Sequence, residues 1–145
     1  MTEMRTSTRR PPKGALIVEA AILFPILLMV TLGGIEYGWL FLNAQQVTNI
    51  ARQGARIAAR NRPDFGTSSA EAQSVINAML VAARLNTYHP TVTITQQLIP
   101  GDPLNRKAVK VVVKVGTSGL LIVNAPLLFP TPTELRASVI MALET

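Results

Sequence analysis

The apolar and polar positions divide the chain into four stretches. Ala15 to Leu32 reads ALIVEAAILFPILLMVTL, apolar almost without interruption. Its 18 residues make a helix about 27 Å long at about 1.5 Å per residue. A bilayer core is about 30 Å thick, so this run alone barely spans one. The apolar character continues through Ile35, Tyr37, Trp39, Leu40, Phe41 and Leu42. Tyr37 and Trp39 fall where an interfacial aromatic belt belongs. The pattern predicts a transmembrane helix over 15–42, with Pro25 and Gly33-Gly34 inside it. It is either a bent single-pass anchor or a helix that bends or partly melts when it packs among copies of itself.

The second stretch, Asn43 to Arg62, reads NAQQVTNIARQGARIAARNR. Val47, Ile50, Ala51, Gly54, Ala55, Ile57 and Ala58 form an apolar stripe at steps of three and four, the period of an amphipathic helix. Arg52, Arg56 and Arg60 recur every fourth residue on another face. The small residues of the stripe permit close helix approach. Pro63 is expected to end the helix, because the residue before a proline disfavours helical backbone. The arginines fit lipid headgroups, a solvated face, or acidic residues of a neighbour.

The third stretch opens with a loop, Asp64 to Ser68. Ser68 or Ser69 is expected to cap a second helix, with Glu71 in its first turn. Ala72, Val75, Ile76, Met79, Leu80 and Ala83 supply its apolar face, and its end is expected near Leu85-Asn86. In the fourth stretch the period changes to two. Val92, Ile94 and Gln96 alternate with threonines. Val109, Val111, Val113 and Val115 alternate with Lys110, Val112 and Lys114, which predicts a strand with one solvated face. Leu135 to Leu143 reads as a third strand or a short helix. The fold class is therefore α+β: a long N-terminal transmembrane helix continuing as an amphipathic helix, a second helix, then a small antiparallel sheet of about three strands. Between the last two elements lies GLLIVNAPLLFPTPTE, too proline-rich for a central strand. Leu120–Val123 and Leu127–Phe129 either plug the core or form an exposed patch for a partner or a membrane surface.

Composition adds three limits. About 100 residues follow the apolar segment, enough for one small domain. Net charge is +6, but residues 1–14 hold four of the 14 basic residues and one of the eight acidic ones, so the balance without them is +3. Much of the charge thus belongs to a leader and not to a folded face, which argues against nucleic acid as a partner. No aromatic platform lies beside the arginines. There is no cysteine, which excludes disulfides, thiolate nucleophiles and Cys-ligated zinc. His89 stands alone before a proline. No phosphate-binding loop, dinucleotide fingerprint or metal-ligand cluster is present, so neither an enzyme nor a cofactor or metal is expected.

Glu19 is the misplaced residue. A charge at mid-bilayer costs about 2.5–3.5 kcal/mol on insertion scales. One reading has Glu19 snorkelling to the interface, with the span running from Ala20 to about Phe41. Another begins at Lys13-Gly14. A cut after Gly14 would give Ala15 a free ammonium at a helix N-terminus, with Glu19 at i+4, where it can neutralise that charge or a neighbour's. Processing by a general signal peptidase fits less well, since the apolar run is long and no A-x-A site follows it. Basic residues on both sides leave orientation only slightly biased toward a cytoplasmic N-terminus.

A basic leader, Gly14, and Glu19 at the fifth place after it resemble the processing site of type IV pilin-like proteins. EAAILFP (19–25), GGIEYG (33–38) and IARQGARIAAR (50–60) together resemble the TadE-like pseudopilins of Tad/Flp pilus systems. Ala20 stands where that family usually has Phe, and Trp39 where it has a basic residue. The resemblance covers about residues 9–62. It implies cleavage after Gly14 by a prepilin peptidase, an inner-membrane single-pass protein with a cytoplasmic N-terminus, and an extracytoplasmic domain over 43–145. It implies assembly contacts at Glu19, Pro25, Glu36 and Tyr37, with other pilins or pseudopilins and the pilus assembly machinery as partners and inner-membrane lipids around the anchor. Glu36 read from its surroundings alone is a solvated interfacial residue. The rival classes are an uncleaved membrane-anchored binding domain and a DNA-binding competence-type pseudopilin.

Overall fold

A computed structural model of the chain describes residues 13–60, 64–99, 101–103, 106–122 and 130–143. Helix α1 (Lys13–Ala59) is followed by α2 (Phe65–Ala82), a single 3-10 turn (Asn86–Tyr88), and strands β1 (Thr91–Leu98), β2 (Lys107–Gly116) and β3 (Glu134–Ala142). This is the α+β order that the periodicities predict, and the last element is a strand. Residues 1–12 of the leader, Pro63 and residues 123–129 lie outside the described residues.

Two compact units divide the chain, Met1–Ile35 and Glu36–Thr145. In the first, α1 presents large apolar side chains to its surroundings, among them Leu16, Ile17, Ile22, Phe24, Leu27 and Val30. The helix is long and apolar enough to cross a membrane, and this bare surface fits a single-pass anchor. Helical assignment runs unbroken through Pro25. The ring nonetheless leaves the carbonyl of Ala21, four residues earlier, without its usual N–H.

In the second unit the stripe on α1 is the floor of the core. Val47, Ile50, Ala51, Ala55, Ile57 and Ala58 are buried, while Arg52, Arg56 and Arg60 are exposed. Gly54 faces α2, where an added Cβ would lie 2.3 Å from Cδ1 of the fully buried Ile76.

Helix α2 begins earlier than expected. Its N-cap is Asp64, with extended backbone (φ −146°, ψ 171°), and Asp64 Oδ1 accepts from the Thr67 N–H at 2.7 Å. Ser68 is buried inside the helix, past the cap, and Glu71 stands beyond the first turn. The helix also ends earlier, at Ala82. Arg84 adopts a left-handed conformation (φ 58°), its N–H donates to Val81 O, and the Leu85 N–H donates to Leu80 O at 2.8 Å. These two bonds with a left-handed residue between them form a Schellman cap, closed by burial of Leu80 and Leu85.

The sheet order is β1-β2-β3, antiparallel throughout. Register places Val92 and Ala137 beside Val113, and Ile94 and Val139 beside Val111. The inward residues of β2, Val109, Val111, Val113 and Val115, are fully buried. At about 1.5–3 kcal/mol per buried aliphatic side chain, this row supplies much of the unit's hydrophobic stabilisation. Lys110, Val112 and Lys114 on the other face are half-buried, and Lys114 pairs with Glu134 at 3.3 Å.

Candidate functional site

Three groups of residues, in α1 and just past its end, carry candidate function. The first is Gly14, Ala15 and Glu19, within the first two turns of the helix. A Cβ at Gly14 would meet nothing within 4 Å, so packing within the chain does not demand a glycine there. Glu19 is exposed. Pro25 follows, also exposed, with the helix continuing through it.

The second group is the turn Glu36–Trp39, where the fold differs most from expectation. Glu36 is not a solvated residue: it is 1% exposed. Its two carboxylate oxygens lie 3.2 and 3.1 Å from the Ile122 N–H, which donates to them. The Tyr37 hydroxyl donates to Pro130 O at 2.8 Å, and the Trp39 indole N–H donates to Leu120 O at 3.0 Å. One turn of helix thus meets three main-chain groups of the connection between β2 and β3. Tyr37 and Trp39 remain nearly half exposed, so each presents ring surface outward while its polar tip is engaged. Trp39, the departure from the family pattern, therefore has its own partner here.

Local sequence brings the connection to this turn. After β2 the chain turns through Thr117–Leu120, closed by the Leu120 N–H donating to Thr117 O at 3.0 Å. Gly119 adopts φ 88°, a conformation glycine reaches without steric cost. Thr117 anchors the other arm: its N–H donates to Thr133 O at 3.1 Å, and its hydroxyl donates to Pro132 O. Leu120 is then buried, Leu121 half-buried and Ile122 exposed. Leu120 thus joins the core, and the rest of the stretch, residues 123–129, lies outside the described residues.

The third group is the arginine row Arg52, Arg56 and Arg60. All three are exposed, and among the described residues none joins an ion pair. The processing residues, the Glu36 turn and the arginine row follow one another along α1, with Arg60 just past its end. Among the described residues the Glu36 turn is closed by side-chain bonds to the β2–β3 connection.

Sequence reasoning missed the carboxylate's partner because Ile122 is 86 residues away. A signal was present in retrospect: a carboxylate set among apolar residues needs an internal donor, and irregular apolar backbone needs partners of its own. Among the described residues no group of three or more His, Cys, Asp or Glu is placed to hold a metal. His89 is exposed, with φ 49°.

Neither the curated proteins nor the solved structures yield a match to the chain. One family model does match. It covers all three groups apart from Arg60, from the glycine before Ala15 through the Glu36 turn to Arg56. Residues 14–56 match the model of the TadE-like protein family.

Proposed function

We propose that the protein is a minor pseudopilin of a Tad/Flp-type pilus, processed by a prepilin peptidase after Gly14 and acting in pilus assembly. The family match supports a Tad pilus-related, minor-pilin-like chain. The observation that carries the finer reading is Gly14 at the start of the matched segment with Glu19 five places on. Gly14 has open space around it, so contacts within the chain do not account for the glycine, and a peptidase subsite does. Cleavage there gives Ala15 an ammonium, and Glu19 at i+4 lies about 6 Å further along the helix. In an apolar medium, a carboxylate without a partner is costly. An assembly in which helices lie side by side supplies one, on the same or the adjacent subunit.

Gly34 and Gly38, four residues apart, likewise have nothing within 4 Å of a built Cβ. Small residues at this spacing let helices approach closely in a membrane, which supports side-by-side packing with other pilin-like subunits. The arginine row, unpaired among the described residues, offers contacts for those subunits or for lipid. Residues 1–14 would lie in the cytoplasm and the domain outside it, in the inner membrane.

The test is the intact mass of the membrane-extracted protein from cells with and without an active prepilin peptidase. Loss of residues 1–14, dependent on the peptidase, is the expected result. An unprocessed chain in both strains overturns the reading.

A further inference from the structure

Exposed apolar side chains on α1 run from Leu16 to Leu42. These 27 residues would measure about 40 Å as a helix, whereas a bilayer core of about 30 Å takes about 20 residues. Either the surplus stands in water, or some of the unit that starts at Glu36 lies within the apolar layer.

Trp39 sets the register. It is the only tryptophan of the chain, and tryptophan is enriched at the boundary of the apolar layer. Tilt lengthens the stretch inside and moves the boundary further toward Leu42. Glu36 is then about one turn inside the hydrocarbon margin, and so is the residue bonded to it. The Ile122 N–H lies 3.1 Å from the Glu36 carboxylate, and the Ile122 side chain is 56% exposed.

Irregular backbone at this depth is tolerated only when its polar groups are satisfied by protein. That condition accounts for three contacts that otherwise look unrelated. Glu36 accepts from Ile122, Trp39 donates to Leu120 and Tyr37 donates to Pro130. The side chains left outward, Ile122, Tyr37, Phe41 and Leu42, are apolar or aromatic and exposed.

We propose that the Leu120–Ile122 segment is seated in the bilayer margin, held against α1 by the Glu36–Trp39 turn, with Ile122 in contact with lipid acyl chains. The protein then meets the membrane through its folded unit as well as its helix. This rests on the membrane-anchor reading of α1.

The absence of native cysteine makes the test direct. Full-length Ile122→Cys, Leu28→Cys and Thr95→Cys chains each carry an environment-sensitive fluorophore. They are reconstituted in phosphatidylcholine vesicles with and without acyl-brominated lipid. The expected result is blue-shifted emission at 122 that loses most of its intensity to the brominated lipid, as at 28, with water-like, unquenched emission at 95. Water-like emission at 122 with quenching retained at 28 overturns this proposal and leaves the anchor standing. Blue-shifted but unquenched emission at 122 means protein cover and also overturns it. An unquenched label at 28 removes the anchor reading and this proposal together. If the label at 122 prevents folding, Trp39 of the unmodified chain reports instead. Lipid brominated near the headgroup should quench it more than lipid brominated near the chain end, and no quenching by either overturns the proposal.

Discussion

Gly54 shows how far a single residue constrains this fold. A methyl group there would lie 2.3 Å from Ile76 Cδ1 and 2.6 Å from Cγ1. Ile76 is fully buried and β-branched, so it cannot swing aside. Replacing Gly54 by alanine gains about 0.8–1.0 kcal/mol of helix propensity, against about 1–3 kcal/mol for overpacking. We therefore expect Gly54→Ala to lower stability by up to about 2 kcal/mol net, read as a lower denaturation midpoint of the full chain in detergent. Gly38→Ala, where a Cβ meets nothing, is the contrast and should not lower it. Gly54 was legible as a small residue in an apolar stripe, because helical spacing is local. The burial of Glu36 was not, because its donor comes from the far end of the chain. Spacing placed Tyr37 and Trp39 near an interface but carried no information about Pro130 or Leu120.

At the scale of elements, periodicity found every helix and strand longer than a turn, and the ends were harder. The start of α2 was assigned to serines, yet Asp64 caps it. Both residue types cap well, and only the extended backbone at Asp64 decides between them. The end of α2 carries no glycine; Arg84 takes the left-handed position that glycine usually fills. The buried Leu80 and Leu85, five residues apart, stabilise that turn.

The cap has a pH consequence. The Thr67 N–H bonded to Asp64, with the Thr67 side chain adding to it, holds its carboxyl below the ordinary value. A carboxyl that is more acidic when folded contributes stability that is fully present above its unfolded value, about 3.9. That contribution is lost as pH falls through the folded value. We expect α2 to loosen at its N-terminus only below about pH 4. Circular dichroism during acid titration should show a loss of helix that Asp64→Asn, which keeps a capping oxygen without titrating, does not show over the same range.

For the whole molecule, the decisive residue is Glu19. If it pairs with the Ala15 ammonium in an assembly, Glu19→Ala should leave cleavage after Gly14 largely intact and abolish most co-purification with other pilin-like subunits. The measurement is processing by intact mass beside recovery of partners in a membrane pull-down. Normal partner recovery would count against the charge pair. The matched segment, residues 14–56, stops before α2 and the sheet. The family's pattern was thus legible in the helix, whereas the sheet followed from alternation alone.

The three-stranded order has a last consequence. Among the described residues β2 is paired on both sides, so β1 and β3 are the two edges. Charged side chains at an edge discourage further pairing. The β3 edge carries Glu134 and Arg136, whereas β1, Thr91–Leu98, reads TVTITQQL and has neither charge nor proline. The sheet is therefore polar in its capacity to grow, guarded against an incoming strand along β3 and undefended along β1.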